Sequence, residues 1–362
     1  METDRETPRE ATAVGTAKPL LRALAGQAVW PPPFWLMRQA GRYLPEYRAV
    51  RAQAGDFITL CTTPELAAEV TLQPVRRFGM DGAILFSDIL IVPWALGQPL
   101  RFAEGEGPIL EPPLRDSAGL AALDTRAVKE RVAPVLETVR RVRAMLDQEA
   151  PKTALIGFAG GPFTVACYMV EGRGGGRDFA LVRELAYRDP SWFGRLIRLL
   201  AEATADYLIA QVEAGAEALM LFDSWAGLLP PAQFRRWVIE PTAAVARAVR
   251  QRHPEVPLIG FPRLAGPMLA EYARRVAGLN AVGMDTAMDP RWAAQAVPPE
   301  MALQGNLDPQ ALVAGGAALE VETRAILAAM RGRPFVFNLG HGIVPQTPPE
   351  HVAALARLVR AG

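Results

Sequence analysis

The chain has 362 residues and a formal net charge of +1, and half of its residues are hydrophobic. This composition excludes wholesale disorder, and the near-zero charge excludes a global attraction to nucleic acid or to an anionic membrane. No apolar run has the length of a membrane-spanning helix, and two cysteines are too few for a disulfide scaffold. The reducing cytosol is the compartment that this composition fits.

The first 17 residues mix acidic and basic side chains without an apolar run. They match neither a secretory signal peptide nor an acid-poor transit peptide. We expect residues 1–17 to form a disordered tail and residues 18–362 to form one domain, because no linker or internal repeat interrupts the later pattern.

Short apolar runs alternate with helical patterns along the rest of the chain, which is typical of β-α units. About eight runs are predicted to be strands, at residues 34–37, 83–86, 154–158, 218–222, 256–261, 279–284, 301–303 and 335–337. Eight parallel strands close a TIM-type (β/α)8 barrel, so we predict an α/β fold consisting of a single barrel. The Pro- and Gly-rich stretch 93–115 predicts an excursion on its rim, and residues 171–178 predict a mobile lid.

Several helices carry recognisable start signals. Thr63-Pro64-Glu65 and Asp189-Pro190 each place a capping residue before a proline, and residues 348–350 read similarly. Apolar residues between positions 128 and 146 fall on one helical stripe, which predicts a helix that covers the sheet.

In a barrel of this type the chemistry lies where strands end. The polar or glycine residues after the predicted strands are Arg38, Arg42, Asp88, Gly160, Gly161, Tyr168, Asp223, Ser224, Arg263, Asp285, Gln304, Asn306, Asn338 and His341. We expect these residues to converge on one face of the barrel.

Four of these positions allow more than one interpretation. Arg38 and Arg42 suit bidentate recognition of carboxylate or phosphate, and their position at a strand end favours this over surface ion pairs. Asp88 fits equally an anionic site residue or the cap of the next helix. His341 lies between glycines and fits either a site role or a hydrogen bond to a loop carbonyl.

Other chemistries lack their motifs. The run "GRGGG" has no Walker Lys-Ser/Thr and follows no predicted strand, so it indicates no phosphate cradle. Cys61 and Cys167 have no CxxC or HxC partners for zinc, and Ser224 lies outside a GxSxG elbow.

Six separated motifs occur in order along the chain, namely "WLMRQAGRYLPEYR", "ILFSDIL", "GFAGGPFTVACYMVEG", "LFDSWAG", "LQGNLDP" and "NLGHGIVPQTPPEHV". With these motifs the chain resembles the uroporphyrinogen decarboxylase family, and its bacterial members in particular. The similarity runs from about residue 33 to the C-terminus. One departure is Thr286, which stands where family members often have an aromatic residue.

The resemblance implies a single (β/α)8 barrel, a homodimer, a cytosolic enzyme and no metal or organic cofactor. It implies a carboxy-lyase of haem and chlorophyll synthesis that removes the carboxyl groups of the four acetate side chains of uroporphyrinogen III. The products are coproporphyrinogen III and four molecules of carbon dioxide.

The resemblance also assigns site residues. Catalytic roles fall on Asp88, Arg38, Tyr168 and His341, with the proton donor left open between Arg38 and water. Substrate-binding roles fall on Arg38, Gln39, Ala40, Gly41, Arg42, Phe57, Asp88, Tyr168, Ser224 and His341. Arg51 is a further cation that the substrate's eight carboxylates could engage.

Two alternatives remain to be compared. Barrel methyltransferases of the same superfamily act on methylcobamides or thiols through a zinc site, which needs an HxC-type ligand set. A non-catalytic porphyrin-binding protein would be expected to have lost Asp88 or Arg38, and both are present.

Overall fold

The structure is a computed structural model that describes residues 18–103, 107–173 and 178–362. Its strands in these ranges are β1 (Gly82–Ile84), β2 (Leu100–Ala103), β3 (Gly107–Leu110), β4 (Ala154–Gly160), β5 (Ala218–Asp223), β6 (Leu258–Pro262), β7 (Ala281–Gly283), β8 (Ala302–Leu307) and β9 (Phe335–Leu339). Seven of them form one parallel sheet in the order β1-β4-β5-β6-β7-β8-β9, and β2 and β3 form a separate antiparallel hairpin.

Helices surround the parallel sheet. They are α1 (Pro19–Leu24), α2 (Pro45–Ala54), α3 (Phe57–Thr62), α4 (Pro64–Phe78), α5 (Ile91–Ala95), α6 (Ser117–Ala121), α7 (Val128–Arg131), α8 (Ala133–Glu149), α9 (Pro162–Glu171), α10 (Ala180–Arg188), α11 (Pro190–Ala214), α12 (Pro231–Phe234), α13 (Glu240–Arg252), α14 (Met268–Arg275), α15 (Pro290–Ala296), α16 (Pro309–Ala314), α17 (Gly316–Met330) and α18 (Pro349–Ala361). A 3₁₀ turn at Ala226–Leu228 precedes α12, and a π-helical turn at Arg235–Ile239 precedes α13.

Strands β4, β6, β8 and β9 are buried along their whole length. Burial on both faces is what parallel strands with helical crossovers require, and it explains why β4 and β6 read as continuous apolar runs. The sheet therefore carries every following loop to the same edge, where the strand C-termini lie.

Seven of the eight predicted strands are present, with shifted ends. The runs predicted from residues 256 and 279 begin at Leu258 and Ala281, and the run predicted to end at residue 303 continues to Leu307. The α/β class and the parallel sheet are thus confirmed.

The predicted strand at residues 34–37 is not a regular strand, and this part of the prediction was wrong. Phe34 makes only an isolated parallel bridge with Phe337. The two backbones meet through Phe337 N–H to Pro33 O at 2.9 Å and Trp35 N–H to Phe337 O at 3.3 Å.

Side chains take the other N–H groups that a regular strand would use. Phe34 N–H donates to Asp81 Oδ2, Leu36 N–H to Gln39 Oε1 and Met37 N–H to Asn338 Oδ1, each at 3.0 Å. A backbone donor bonded to a side chain is no longer available to a ladder, so the segment stays extended without becoming a strand.

The predicted helix starts at α4, α11 and α18 are confirmed. Asp189 caps α11 by accepting Trp192 N–H at 2.9 Å, whereas Thr63 precedes α4 without a side-chain bond. The helix predicted over residues 128–146 is interrupted between α7 and α8. Pro134 lies in the first turn of α8, where proline is tolerated, and its missing N–H ends the preceding turn.

The excursion at residues 93–115 contains the end of α5 and the β2-β3 hairpin. Leu110 N–H donates to Gly172 O and Leu114 N–H to Met169 O, both at 2.8 Å. These bonds tie the excursion to the C-terminal end of α9 and bring Phe102 of β2 close to Phe57.

The predicted disordered tail, residues 1–17, and residues 174–177 of the predicted lid lie outside the described residues. In the ranges that are described, no helix has both the length and the apolar character needed to cross a membrane.

Candidate active site

Arg38 lies in a tight loop directly after the extended segment at residues 34–37. Its backbone has a left-handed φ of 60°, which is uncommon for a residue with a Cβ. The neighbouring Gln39 holds this loop in place, because its buried side chain accepts Leu36 N–H and donates to Gly82 O, each at 3.0 Å. The Arg38 side chain is exposed.

The four residues after Arg38 differ in which of their groups a ligand can reach. The Gln39 side chain points into the core, and its backbone C=O accepts the Tyr43 hydroxyl at 2.9 Å. Ala40 and Gly41 are half-buried, and Arg42 is exposed. Backbone groups at Ala40 and Gly41 and the Arg42 guanidinium are therefore what this loop offers to a ligand.

Asp88 lies beyond β1, in the connection to α5. Its Oδ1 accepts Leu90 N–H at 2.8 Å. Leu90 is the residue that precedes α5 and no side chain caps that helix, so the interpretation of Asp88 as a helix cap is wrong and its hydrogen bond holds the turn before α5. The other oxygen has no protein partner in the described ranges and is not enclosed. Burial raises the pKa of Asp88, while the Leu90 N–H and the charge of Arg38 lower it.

Tyr168 lies on α9 with its ring 5.7 Å from Phe179 and 6.4 Å from Trp225. Burial raises the pKa of its hydroxyl, and the negative charge of Asp88 raises it further. Tyr168 is therefore a protonated hydrogen-bond donor at neutral pH.

His341 follows β9 in the "NLGHGI" segment. Gly342 N–H donates to its Nδ1 at 2.6 Å, which leaves the proton of the neutral ring on Nε2. Burial, together with the charges of Arg38 and Arg263, lowers the pKa of His341 to about 4. The ring is consequently neutral at pH 7 and offers Nε2–H as a donor.

Ser224 is half-buried after β5, next to the buried Asp223. Thr164 Oγ1 donates to Asp223 Oδ1 at 2.5 Å and accepts Trp225 N–H at 3.0 Å. Burial raises the pKa of Asp223 to about 6. Asp223 thus fixes the loop that carries Ser224 and faces the interior.

Phe57 belongs to an aromatic cluster beside the arginine loop. Its ring centroid lies 4.5 Å from Phe102 and 5.7 Å from Phe86, and Phe86 lies 5.7 Å from Tyr47. The charges of Arg51 and Arg42 both act on the pKa of Tyr47, which burial raises. This cluster provides an apolar wall below a cationic rim.

Arg38 is the common neighbour of the site. Its charge acts on the pKa of Asp88, Tyr168 and His341, which places these four predicted residues together. The same charge acts on Arg263, which the strand-end pattern selected but to which the family resemblance assigned no role.

The arrangement holds one carboxylate among guanidinium groups and neutral donors. Such a site can bind a polyacid at its rim and accept hydrogen bonds from N–H groups at its centre. Within the ranges that the structure describes, no group of three His, Cys, Asp or Glu side chains is placed to hold a metal ion.

The family comparison agrees with this chemistry. The family model described as Uroporphyrinogen decarboxylase (URO-D) matches residues 16–362. The chain belongs to the uroporphyrinogen decarboxylase family. A family member named uroporphyrinogen decarboxylase from Gluconacetobacter diazotrophicus is 61% identical over 352 residues, covering 95% of this chain and 99% of that protein. One from Granulibacter bethesdensis is 62% identical over 343 residues, with 95% and 99% covered.

Solved structures show the fold that the uroporphyrinogen decarboxylase family shares with other proteins. A methyltransferase from Methanosarcina mazei superposes with a TM-score of 0.77 at 21% identity, covering 94% of this chain and 97% of the other. A putative vitamin-B12 independent methionine synthase from Listeria monocytogenes reaches 0.54 at 10% identity, with 92% and 97% covered. At these identities the likeness concerns the fold alone.

Proposed function

We propose that this chain decarboxylates the four acetate side chains of uroporphyrinogen III, giving coproporphyrinogen III and four molecules of carbon dioxide. The observation that carries the proposal is the single carboxylate of Asp88, which has one free oxygen and lies with Arg38, Tyr168 and His341 on one face. The names of the close relatives support the same reaction.

The substrate explains why one anion lies among cations. Uroporphyrinogen has eight carboxylates and four pyrrole N–H groups. Arg38 and Arg42 bind carboxylates, and the free oxygen of Asp88 accepts pyrrole N–H groups from a domed macrocycle. Those donors favour the ionised carboxylate and so oppose the rise in pKa that burial produces.

Each decarboxylation uses the pyrrole as its own electron sink. A proton adds to the ring carbon next to nitrogen and creates a cationic, iminium-like ring. The bond between the methylene and the carboxylate then breaks, its electron pair moves toward the ring, and carbon dioxide leaves. A proton adds to the methylene to give methyl, and the ring carbon loses the first proton. One proton is consumed for each carbon dioxide.

Asp88 stabilises the cationic ring, and the proton donor is Arg38 or a water molecule that it orients. A preorganised charge of this kind contributes on the order of 3 to 4 kcal/mol to transition-state stabilisation. Tyr168, Ser224 and the Nε2–H of His341 donate to substrate carboxylates and orient the reacting acetate. Phe57 packs on the macrocycle, and the backbones at Ala40 and Gly41 line the site, whereas both backbone groups of Gln39 are engaged by Leu36 and Tyr43.

We also propose that the extended segment at residues 34–37 takes the place of the eighth strand and closes the sheet into a (β/α)8 barrel. Its bridge to Phe337, and the donation from Asp81 N–H to Phe34 O at 2.9 Å, support this closure on both sides. Residues 18–362 then form one domain. The family resemblance further supports a homodimer that acts in the cytoplasm without a metal or organic cofactor.

The methyltransferase alternative is not favoured. The Methanosarcina mazei neighbour shares the fold at 21% identity, whereas the relatives at 61–62% identity carry the decarboxylase name. A protein that binds porphyrin without turnover is the other alternative, and an activity assay separates it from an enzyme.

The test is incubation with freshly reduced uroporphyrin III under nitrogen, followed by oxidation and separation of the porphyrins by carboxyl number. We expect porphyrins with seven, six, five and four carboxyl groups to appear in time order. The Asp88→Ala variant is the control for uncatalysed loss. If wild type yields only the eight-carboxyl porphyrin while it still binds uroporphyrin, the enzymatic proposal is wrong.

A further inference from the structure

Arg263 has a firmly fixed backbone. Its N–H donates to Asp223 O and to Phe261 O, both at 3.1 Å, and its C=O accepts Gly227 N–H at 3.0 Å. The next residue, Leu264, is held at a left-handed φ of 60°, and its N–H donates to Asp285 Oδ2 at 2.7 Å. Hydrogen bonds to neighbouring loops therefore fix the position of the Arg263 Cα.

The loop that carries Arg263 is connected by contacts to the loop that carries His341. Asp285, which binds Leu264, is followed by Thr286, and Gly340 packs so closely on Thr286 that a Cβ at position 340 would overlap it. On the other side of His341, Gly342 packs directly on the side chain of Arg38. This chain of contacts brings Arg263, His341 and Arg38 to one side of the site.

The guanidinium of Arg263 has no counter-ion of its own. It is half-buried, and within the described ranges it makes no ion pair or hydrogen bond. Asp285 is the acidic residue whose charge acts on the pKa of Arg263. Both of its oxygens are occupied, one by Leu264 N–H and the other by Ala287 N–H at 2.8 Å. Asp285 therefore holds the backbone of its own loop and of Leu264, and the guanidinium of Arg263 is left available to a ligand.

The charges around Arg263 favour an anion. Burial lowers the pKa of Arg263, the negative charge of Asp285 raises it, and the like charge of Arg38 lowers it again. Tyr168 also acts on the pKa of Arg263, and the charges of both arginines act on the pKa of His341. Two like charges repel each other, and an anion placed between them converts this repulsion into two attractions.

We propose that Arg263 and Arg38 form a carboxylate subsite, with His341 Nε2–H as the third donor, that holds one carboxylate side chain of the tetrapyrrole. This inference rests on the proposed function for the identity of the ligand. A guanidinium suits this role because its planar donors match a carboxylate in a bidentate geometry. Arg42 binds a different carboxylate, so the macrocycle is held at two places and cannot rotate freely about Asp88.

The test compares Arg263→Gln, Arg263→Lys and the matched control Arg324→Gln, an exposed arginine on α17 that loses the same charge. We measure the Kd of oxidised uroporphyrin III and coproporphyrin III by fluorescence, then KM, kcat and Tm. Loss of a charged hydrogen bond predicts that Arg263→Gln weakens uroporphyrin binding by about ten- to a hundredfold, and that Arg263→Lys recovers part of it. Arg324→Gln should match wild type.

The two porphyrins distinguish the carboxylate that is held. Coproporphyrin has only propionate carboxylates, so an equal loss with both ligands assigns the subsite to a propionate, and a loss confined to uroporphyrin assigns it to an acetate. Unchanged uroporphyrin affinity in Arg263→Gln overturns the proposal. If that variant does not fold, an Arg263→Lys protein with wild-type Tm and wild-type affinity overturns it as well.

A purely structural role gives a different pattern. In that case Tm falls, kcat and KM change together, and lysine restores none of the affinity, which also overturns the proposal. The affinity measurements do not depend on whether the protein turns its substrate over. If wild type binds uroporphyrin but produces no carbon dioxide, the proposed function fails while the affinity measurements still decide the role of Arg263.

Discussion

Asp88 Oδ1 accepts the backbone N–H of Leu90 at 2.8 Å. One oxygen of this carboxylate is therefore engaged before any ligand arrives, and its orientation is fixed by the turn that precedes α5. The other oxygen is left to face the site. The hydrogen bond to Leu90 and a role in the site are thus compatible, because each uses a different oxygen.

Asp88→Asn separates these two roles. An asparagine Oδ1 still accepts Leu90 N–H, so Tm should stay within a few degrees of wild type, but the negative charge is lost. We expect kcat to fall by about 10²- to 10³-fold, as for removal of one preorganised electrostatic group. Steady-state assays with uroporphyrinogen measure this loss. Asp88→Ala should lose both roles, and equal kcat in wild type and Asp88→Asn would contradict the charge argument.

Arg42→Ala should weaken binding rather than chemistry. Arg42 is exposed at the rim and makes no ion pair with the described part of the chain, so its removal costs a substrate contact and no folding contact. We expect KM to rise by roughly tenfold with kcat within about threefold, which corresponds to one charged hydrogen bond. Added salt should narrow the difference in KM between Arg42→Ala and wild type, because exposed charges at the rim are screened. A kcat loss as large as that of Asp88→Asn would argue against this assignment.

Gly342→Ala should displace Arg38 without unfolding the protein. A Cβ at position 342 would overlap the aliphatic part of the Arg38 side chain, which can move away because that side chain is exposed and flexible. We expect kcat/KM to fall by about tenfold or more while Tm changes little. Gly194→Ala in α11 is the control, since its Cβ would meet Trp237 at an ordinary 3.8 Å. Full activity in Gly342→Ala would show that the Arg38 position is not critical.

Asp223→Asn should change how stability depends on pH. Because the pKa of Asp223 is raised to about 6 in the folded state, the folded protein binds this proton more tightly than the unfolded chain does. Wild type therefore loses stability as pH rises from about 4 through 6, and asparagine removes that loss. Urea unfolding should find the variant gaining about 1 to 2 kcal/mol relative to wild type between pH 5 and pH 8. A pH-independent difference would mean that Asp223 titrates normally.

His341 should remain neutral well below the usual range of histidine. Burial and the charges of Arg38 and Arg263 lower its pKa to about 4, so its imidazole should show no protonation between pH 8 and pH 5.5. Nitrogen-15 NMR with His341→Gln for assignment measures both the midpoint and the tautomer. The expected neutral form has its proton on Nε2, since Gly342 N–H donates to Nδ1. A midpoint near 6.5 would exclude the neutral-donor role.

The sequence alone determined the architecture and the family. Alternating apolar runs and helical stripes depend on nearby residues, so seven strands and the main helix starts could be read directly. The strand-end pattern also selected Arg38, Asp88, Tyr168 and His341 as residues expected to converge on one edge, and their catalytic roles stay predictions that rest on the family resemblance.

Tertiary structure decided what depends on partners far along the chain. Met37 N–H bonds to the side chain of Asn338, 301 residues away, and that bond is one reason why residues 34–37 do not form a regular strand. The inward side chain of Gln39, the tautomer of His341 and the unpaired state of Arg263 depend likewise on contacts between different loops. A local pattern determines which residues form an element, but hydrogen-bond partners and burial are set only when distant segments meet.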